Sequence, residues 1–224
     1  MLLLAVDTSG KLGSFALAKC EPDGACNVLE VAPLVGGTFS AQLVPQVAAL
    51  LEKHGFSRHD IAAFAVAAGP GSFTGLRVGL AAIKALAEVL RKPIATVSML
   101  EAVAVAAGSP GKITAALDAG RNEVFAGEYE VASSGSRLIR ERLVSRAEFL
   151  DSANDWVIVT PDKAIVDAAR SNGLRVQEIE RPRSDAIARL GSKKIQAGET
   201  VSPEALDANY IRRSDAEIFS RSKP

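Results

Sequence analysis

An internal repeat constrains the fold of this chain more than any other feature of its sequence. The apolar run Leu-Leu-Leu-Ala-Val-Asp, which ends at Asp7, is followed by a polar turn and a second apolar run. The stretch Ile-Thr-Ala-Ala-Leu-Asp, which ends at Asp118, is followed by the same pattern. Two apolar runs joined by a polar turn are typical of a β-hairpin. Because helical and strand patterns follow each hairpin, the repeat predicts two similar α/β lobes.

The boundary between these lobes is predicted from the distribution of glycine and proline. Gly108, Pro110 and Gly111 cluster just before the second hairpin, and such clusters mark connections between regular elements. The sequence therefore predicts an N-terminal lobe over residues 1–110 and a C-terminal lobe with a polar tail over residues 111–224. With 224 residues, 48% of them hydrophobic, the chain can supply a core for each lobe.

Charge and hydropathy exclude several classes of protein. The chain has 26 basic and 26 acidic residues, so no net field directs it to nucleic acid or to an anionic membrane. No run of apolar residues approaches the ~18 that a membrane span requires, and the first residues lack the basic region of a signal peptide. A cytoplasmic protein is predicted. Cys20 and Cys26 are expected to be reduced thiols, with a disulfide or a metal site as the alternatives.

A glycine-rich loop, residues 69–75, joins a predicted buried strand to an alanine-rich helix. A Walker A loop requires lysine where Leu76 stands, and a dinucleotide-binding fingerprint requires glycine where Thr74 stands. The loop still precedes a helix N-terminus, where backbone N–H groups attract anions. An anion site and a tight structural turn therefore both remain open.

The two hairpin turns supply the candidate nucleotide-binding residues. Two facing turns that carry aspartate and small hydroxyl residues could hold the phosphates and the metal ion of a nucleotide between them. The alternative is that each aspartate only caps its own turn through backbone hydrogen bonds. The candidates are Asp7, Thr8, Ser9 and Asp118.

Four motifs, spread over nearly the whole chain, resemble one protein family. They are LAVDTSGKLGSFAL, GPGSFTGLRVG, LDAGRNEVFAGEY and NYIRR. In this order they resemble the bacterial TsaB family, also known as YeaZ, of tRNA threonylcarbamoyladenosine biosynthesis proteins. The resemblance implies two RNase H-like lobes of the actin-like, Hsp70-like and sugar-kinase-like ATPase architecture. This architecture agrees with the internal repeat.

The resemblance also implies a division of labour with TsaD, the catalytic paralogue, which carries a metal-binding His-x-x-x-His motif. Its two histidine positions correspond here to Met99 and Val103, and neither side chain can ligate a hard catalytic metal. The resemblance therefore implies a non-catalytic subunit that supports TsaD together with TsaE, with tRNA, ATP and a metal ion bound by the complex. An autonomous small-molecule kinase of the same architecture is the alternative, and a metal-dependent peptidase is disfavoured. The isolated chain is expected to bind nucleotide weakly or not at all.

The helix that follows the glycine loop is apolar on nearly every side. Such a helix is either buried within its own domain or shared with a second protein. TsaB relatives pair with TsaD, and with themselves when TsaD is absent, through this helix and the preceding one. The resemblance thus predicts that the following residues lie at or beside a homodimer or TsaD interface: Leu43, Val47, Leu76, Leu80, Ile83 and Lys84.

Overall fold

A computed structural model of the chain describes residues 1–35, 39–152, 156–209 and 211. The strands are β1 (Leu2–Asp7), β2 (Gly13–Cys20), β3 (Cys26–Leu34), β4 (Ala63–Gly69), β5 (Ile94–Ser98), β6 (Gly111–Gly120), β7 (Glu123–Ala132), β8 (Gly135–Ser145), β9 (Val157–Thr160) and β10 (Val176–Glu178). The helices are α1 (Phe39–Lys53), α2 (Phe73–Leu90), α3 (Met99–Val105), α4 (Arg146–Ser152), α5 (Lys163–Ser171) and α6 (Ser184–Gln196).

The strands form two five-stranded sheets with the same topology. The first has the order β3-β2-β1-β4-β5 and the second the order β8-β7-β6-β9-β10. In each sheet an antiparallel meander of three strands is extended by two parallel strands. Asp7 and Asp118 both lie near the end of the central strand, which confirms the repeat and the predicted fold class.

The compact units of the chain differ from the predicted limits of 1–110 and 111–224. Unit 1 consists of Met1–Ala102 and Pro182–Ala208, and unit 2 contains Val103–Arg181 together with residues 209 and 211. The difference arises because α6, late in the sequence, packs against β1, β2, β4 and β5. A boundary drawn from local turn residues cannot detect a helix that returns to the first sheet.

The first sheet has two chemically different faces, and this difference explains where the helices pack. Large side chains such as Val6, Phe64 and Val66 lie in one core with α1 and α2. Alternate positions on β4 are alanines, and an added Cβ at Gly191 of α6 would lie only 2.4 Å from Ala65 Cβ. Because side chains alternate across a strand, the alanine face admits α6 at close range while the opposite face holds α1 and α2.

Unit 2 has a smaller core and a charged outer meander. Its core includes Val124, Phe149 and Ile158. Arg140 donates to Glu128 across β7 and β8 at 2.6 Å, and this hydrogen bond raises the pKa of the guanidinium. Such exposed ion pairs contribute little stability individually, but charged side chains on the edge strand β8 discourage pairing with another sheet.

Helix α1 begins earlier in the chain than expected from the position of Pro45, because proline is most often found in the first turn of a helix. The sequence places Pro45 in or near the first turn, which is wrong, because the helix starts at Phe39 and Pro45 lies in its second turn. Pro45 is exposed, so the carbonyl that loses its helical donor can be solvated. At the other end, Gly55 has φ +72° and closes the helix, as glycine commonly does just after a helix C-terminus.

Two further contacts join β3, an edge strand of the first sheet, to its neighbours β2 and α1. Cys20 and Cys26 are opposite each other in β2 and β3, with Cα atoms 4.0 Å apart, and form a disulfide. The expectation of reduced thiols is therefore wrong. The sequence did not show this pairing because the strand register, which places the two residues opposite each other, is set by the sheet. Glu30 of β3 accepts hydrogen bonds from Lys53 at 2.7 Å and interacts with His54 at 2.9 Å, which holds the pKa of Glu30 below its usual value.

Candidate functional site

The glycine-rich loop and the N-terminal half of α2 lie directly against the turn between β1 and β2. A Cβ added at Gly71 would lie 2.4 Å from the Ser9 carbonyl oxygen, and one added at Gly75 would lie 2.1 Å from that of Thr8. At Gly79 it would lie 2.3 Å from Thr8 Oγ1. Real Cβ atoms do not approach other atoms this closely, so Gly71 and Gly75, which face backbone oxygens, require glycine, and a side chain at Gly79 would require the Thr8 hydroxyl to move.

Hydrogen bonds join the same two segments. The Ser72 N–H donates to the Ser9 carbonyl oxygen at 2.7 Å. The Ser72 hydroxyl in turn accepts from the Gly75 N–H at 3.2 Å, which makes Ser72 the N-cap of α2. Two N–H donors at the start of α2, those of Ser72 and Gly75, therefore have protein partners, whereas an open phosphate loop leaves such donors to a ligand.

The candidate nucleotide-binding residues of unit 1 are buried. Asp7, Thr8 and Ser9 are 3%, 1% and 2% exposed. One Asp7 carboxylate oxygen accepts from the Ser9 N–H at 2.8 Å, as expected for an aspartate that stabilises its own turn. In the described structure these side chains contribute almost no surface that a ligand could contact.

Asp118, the fourth candidate, has different surroundings in unit 2. Its side chain is 43% exposed and lies 3.5 Å from the Arg146 guanidinium. It also accepts from the Gly120 N–H at 3.2 Å, while its own N–H donates to an Asp162 carboxylate oxygen at 2.7 Å. Asp118 thus caps its own turn, as Asp7 does, but remains accessible.

The positions that correspond to a His-x-x-x-His motif are filled by core residues. Met99 and Val103 of α3 are both fully buried. Across the described ranges, no group of three or more histidine, cysteine, aspartate or glutamate side chains is arranged to hold a metal ion. The donor set of this part of the chain therefore does not fit a metal centre.

Five of the six predicted interface residues belong to the core of unit 1. Leu43, Val47, Leu76, Leu80 and Ile83 are all buried there. They lie beneath the outer surface of α1 and α2, so these five residues can lie beside an interface on these helices but not at its surface. Only Lys84 is exposed, and its Nζ lies 3.5 Å from the Glu204 carbonyl oxygen.

The outer surface of α1 and α2 is exposed and largely apolar. Val89 is 78% and Val44 is 49% exposed, although valine is ordinarily found inside proteins. We call this surface the α1/α2 face. It comprises Ala41, Val44, Pro45, Ala48, Thr74, Ala81, Ala85 and Val89.

Charged residues border the α1/α2 face without interrupting it. Arg77, Lys84 and Glu88 lie along one side of α2, and the Arg77 guanidinium stacks 3.9 Å from the centroid of the Phe73 ring. An uncharged strip with a charged border is typical of a protein interface. The sequence places the predicted contact residues on α1 and α2 but does not separate the buried sides of these helices from their exposed sides, because α2 is apolar in nearly all directions. No signal in the sequence distinguishes the outer side, because alanine occurs both there, at positions 81 and 85, and in the core, at position 87.

None of the helices in the described part of the chain combines the length and the apolar character that crossing a bilayer requires. The motif NYIRR extends into residues that lie outside the described ranges, including Tyr210, Arg212 and Arg213.

Comparisons with known proteins give a consistent result. The family model described as TsaD, tRNA N6-adenosine threonylcarbamoyltransferase, matches residues 33–205. The tRNA threonylcarbamoyladenosine biosynthesis protein TsaB of Escherichia coli is 29% identical, with 96% of each chain covered. TsaB of Haemophilus influenzae is 30% identical over 79% of this chain and 71% of the relative. The solved structure of YeaZ from Pseudomonas aeruginosa is 26% identical with a TM-score of 0.75, and the match covers 93% of this chain and 99% of that one.

Proposed function

The chain belongs to the TsaB family of tRNA threonylcarbamoyladenosine biosynthesis proteins, and from this premise we propose that it is a non-catalytic subunit that binds and supports TsaD. In this proposal TsaE joins the assembly, and tRNA is engaged through the complex. ATP and a metal ion act in the assembled complex rather than in the isolated chain. The place of action is the cytoplasm.

The observation that carries this proposal is the α1/α2 face. Its valines and alanines gain free energy when a second apolar surface removes them from water, at roughly 25 cal/mol per Å². Small side chains such as Ala81 and Ala85 allow another helix to approach closely. The same face suits a second copy of the chain, so we expect a homodimer that forms when TsaD is absent.

The chemistry of the described residues supports a subunit rather than an enzyme. The buried Met99 and Val103 offer no ligands for a hard metal ion, and Asp7 is enclosed by its own turn. A kinase needs a general base beside its acceptor hydroxyl, and the sequence supplies no assignable candidate. ATP turnover by the purified chain with small-molecule acceptors, in the absence of partners, would favour the kinase alternative instead.

A glutamate on the α1/α2 face is expected to weaken TsaD binding. Ala85→Glu and Val44→Glu each place a charge where apolar surfaces meet, and burying an unpaired charge is costly. We expect the affinity for TsaD, measured by calorimetry with purified proteins, to fall about tenfold or more, as at interface hot spots. Self-association, measured by analytical ultracentrifugation, is expected to fall with it.

Leu138→Glu is the matched control for these variants. Leu138 is also an exposed apolar residue, but it lies on β8 in unit 2. This variant is expected to bind TsaD with unchanged affinity. Wild-type affinity in Ala85→Glu and Val44→Glu, with both variants folded by circular dichroism, would exclude the α1/α2 face as the binding surface.

The isolated chain is expected to bind Mg-ATP weakly or not at all. Asp7, Thr8 and Ser9 are buried, and the Gly75 N–H is already bonded to Ser72. Calorimetric titration of the purified chain with Mg-ATP is expected to give no saturable heat. Micromolar affinity would contradict this expectation, and its loss in Asp118→Asn would then locate the site in unit 2.

A further inference from the structure

The turn between β1 and β2 is packed directly against the glycine-rich loop and the first half of α2. The contacts involve glycines at positions 71, 75 and 79. Gly75 and Gly79 are about one turn apart in α2 and face the same side of it, whereas Gly71 precedes the helix. None of the three has a positive φ, whereas Gly69 of the same loop does. Glycine is therefore found at these positions because a side chain would collide with neighbouring atoms, and not because of the backbone conformation.

The turn also anchors the first turn of α2 to the first sheet. Thr8 and Ser9 follow the last residue of β1, and the Ser9 carbonyl oxygen accepts the Ser72 N–H. Ser72 caps the helix. A continuous path of bonded and touching atoms thus runs from the central strand, through Thr8 and Ser9, to the start of α2. Both residues of this path are almost completely enclosed.

We propose that Thr8 and Ser9 are positioning residues for partner recognition: the turn sets how α2 lies on the sheet and thereby fixes the α1/α2 face. This inference rests on the proposed function, because it concerns how the chain presents its surface to TsaD.

The physical reason lies in the stiffness of the helix. An α-helix of 18 residues is about 27 Å long and moves as a rod. A displacement at Gly75 or Gly79 therefore tilts the whole helix, including Ala81, Ala85 and Val89 on its outer side. Interface cores are packed as tightly as protein interiors, so a shift of about 1 Å is enough to disturb the fit.

The test uses a collision that a second substitution can remove. In Gly79→Ala the new Cβ meets Thr8 Oγ1 at 2.3 Å, whereas Thr8 Cβ is 3.5 Å away, an ordinary contact. Thr8→Ala removes Oγ1 and should relieve the collision. Thr8→Val keeps a methyl group in the place of Oγ1 and should not relieve the collision. Affinity for TsaD is measured by calorimetry for the full chain carrying Gly79→Ala alone and with each Thr8 change, with the two Thr8 single variants as references.

Gly191→Ala is the control for a general loss of stability. It introduces an equally close contact, 2.4 Å from Ala65 Cβ, on the opposite face of the same sheet. Thermal unfolding by circular dichroism is recorded for each variant, and affinity is measured at a temperature at which all of them are folded. This design separates the position of α2 from the stability of unit 1.

We expect Gly79→Ala alone to weaken TsaD binding about tenfold or more. When Thr8→Ala is combined with it, we expect the affinity to return to within about threefold of that of the Thr8→Ala single variant. Gly79→Ala combined with Thr8→Val is expected to remain weak, and Gly191→Ala is expected to bind as the wild type does. Wild-type affinity in Gly79→Ala, equal rescue by Thr8→Val, or an equal loss in Gly191→Ala would each overturn the inference. Failure of the wild-type chain itself to bind TsaD would overturn the proposed function and the inference with it.

Discussion

Replacing Ile83 with glutamate is expected to unfold unit 1, whereas the same substitution at Ala85, two residues later, is expected to leave it folded. Ile83 is fully buried in the core between the sheet and the helices α1 and α2, and the described core offers its new carboxylate no cationic partner. Loss of the buried side chain alone costs about 2–5 kcal/mol, and burial of an unpaired charge adds to this. The total is comparable with the whole stability of a domain.

The difference between the two positions is measured by urea unfolding followed by circular dichroism. Ala85 is exposed on the α1/α2 face, where glutamate is a good helix former, so its effect on unfolding is expected to lie within about 0.5 kcal/mol. A folded Ile83→Glu chain with an unchanged urea midpoint would show that this side of α2 is not core. Ile83→Glu is therefore a test of the fold, and Ala85→Glu is the test of the interface.

Replacing Gly75 with alanine is expected to destabilise the chain by about 2–3 kcal/mol, although alanine favours a helix by about 1 kcal/mol over glycine. The new Cβ would lie 2.1 Å from the Thr8 carbonyl oxygen. This atom belongs to the backbone of a buried turn, so it cannot move aside as a side-chain end could. The helix or the turn must shift instead, and the resulting loss of packing exceeds the gain in helix propensity.

Thr74→Ala is the matched control for this change. Thr74 is the neighbouring residue in the first turn of α2, but its side chain is exposed. Its replacement is expected to change the free energy of unfolding by no more than about 0.5 kcal/mol. Thermal and urea unfolding of the two variants provide the comparison. If Gly75→Ala were as stable as the wild type, the close approach of the turn to α2 would not be a feature of the folded protein.

The close approach of the turn to α2 also bears on the role of the glycine-rich loop. From the sequence, this loop could be either an anion site or a tight turn. The structure favours the turn: Ser9 and Ser72 join the loop to the end of β1, and Gly71 and Gly75 accommodate the backbone of residues 8 and 9. The loop resembles a phosphate-binding loop because both need glycine for the same reason, close approach of another group to the backbone. In this chain the approaching group belongs to the protein itself.

The sequence by itself determined the features that depend on local patterns. Apolar runs ending at Asp7 and Asp118 predicted two hairpins, and the structure has both at the centre of sheets with identical topology. The helix end at Gly55 also depends on a local signal, because a glycine with positive φ can close the last turn of a helix. The motifs were enough to identify the family.

Tertiary structure alone decided the features that depend on residues far apart in the chain. The membership of α6 in unit 1 follows from the fit of Gly191 against Ala65, more than a hundred positions earlier. The Cys20–Cys26 disulfide follows from the register of two strands. The outer side of α2 was hidden in the sequence because alanine, valine and leucine occur around its whole circumference. Hydrophobic periodicity reports which side of a helix is buried only when the other side is polar, so here the packing of α2 against the sheet had to decide.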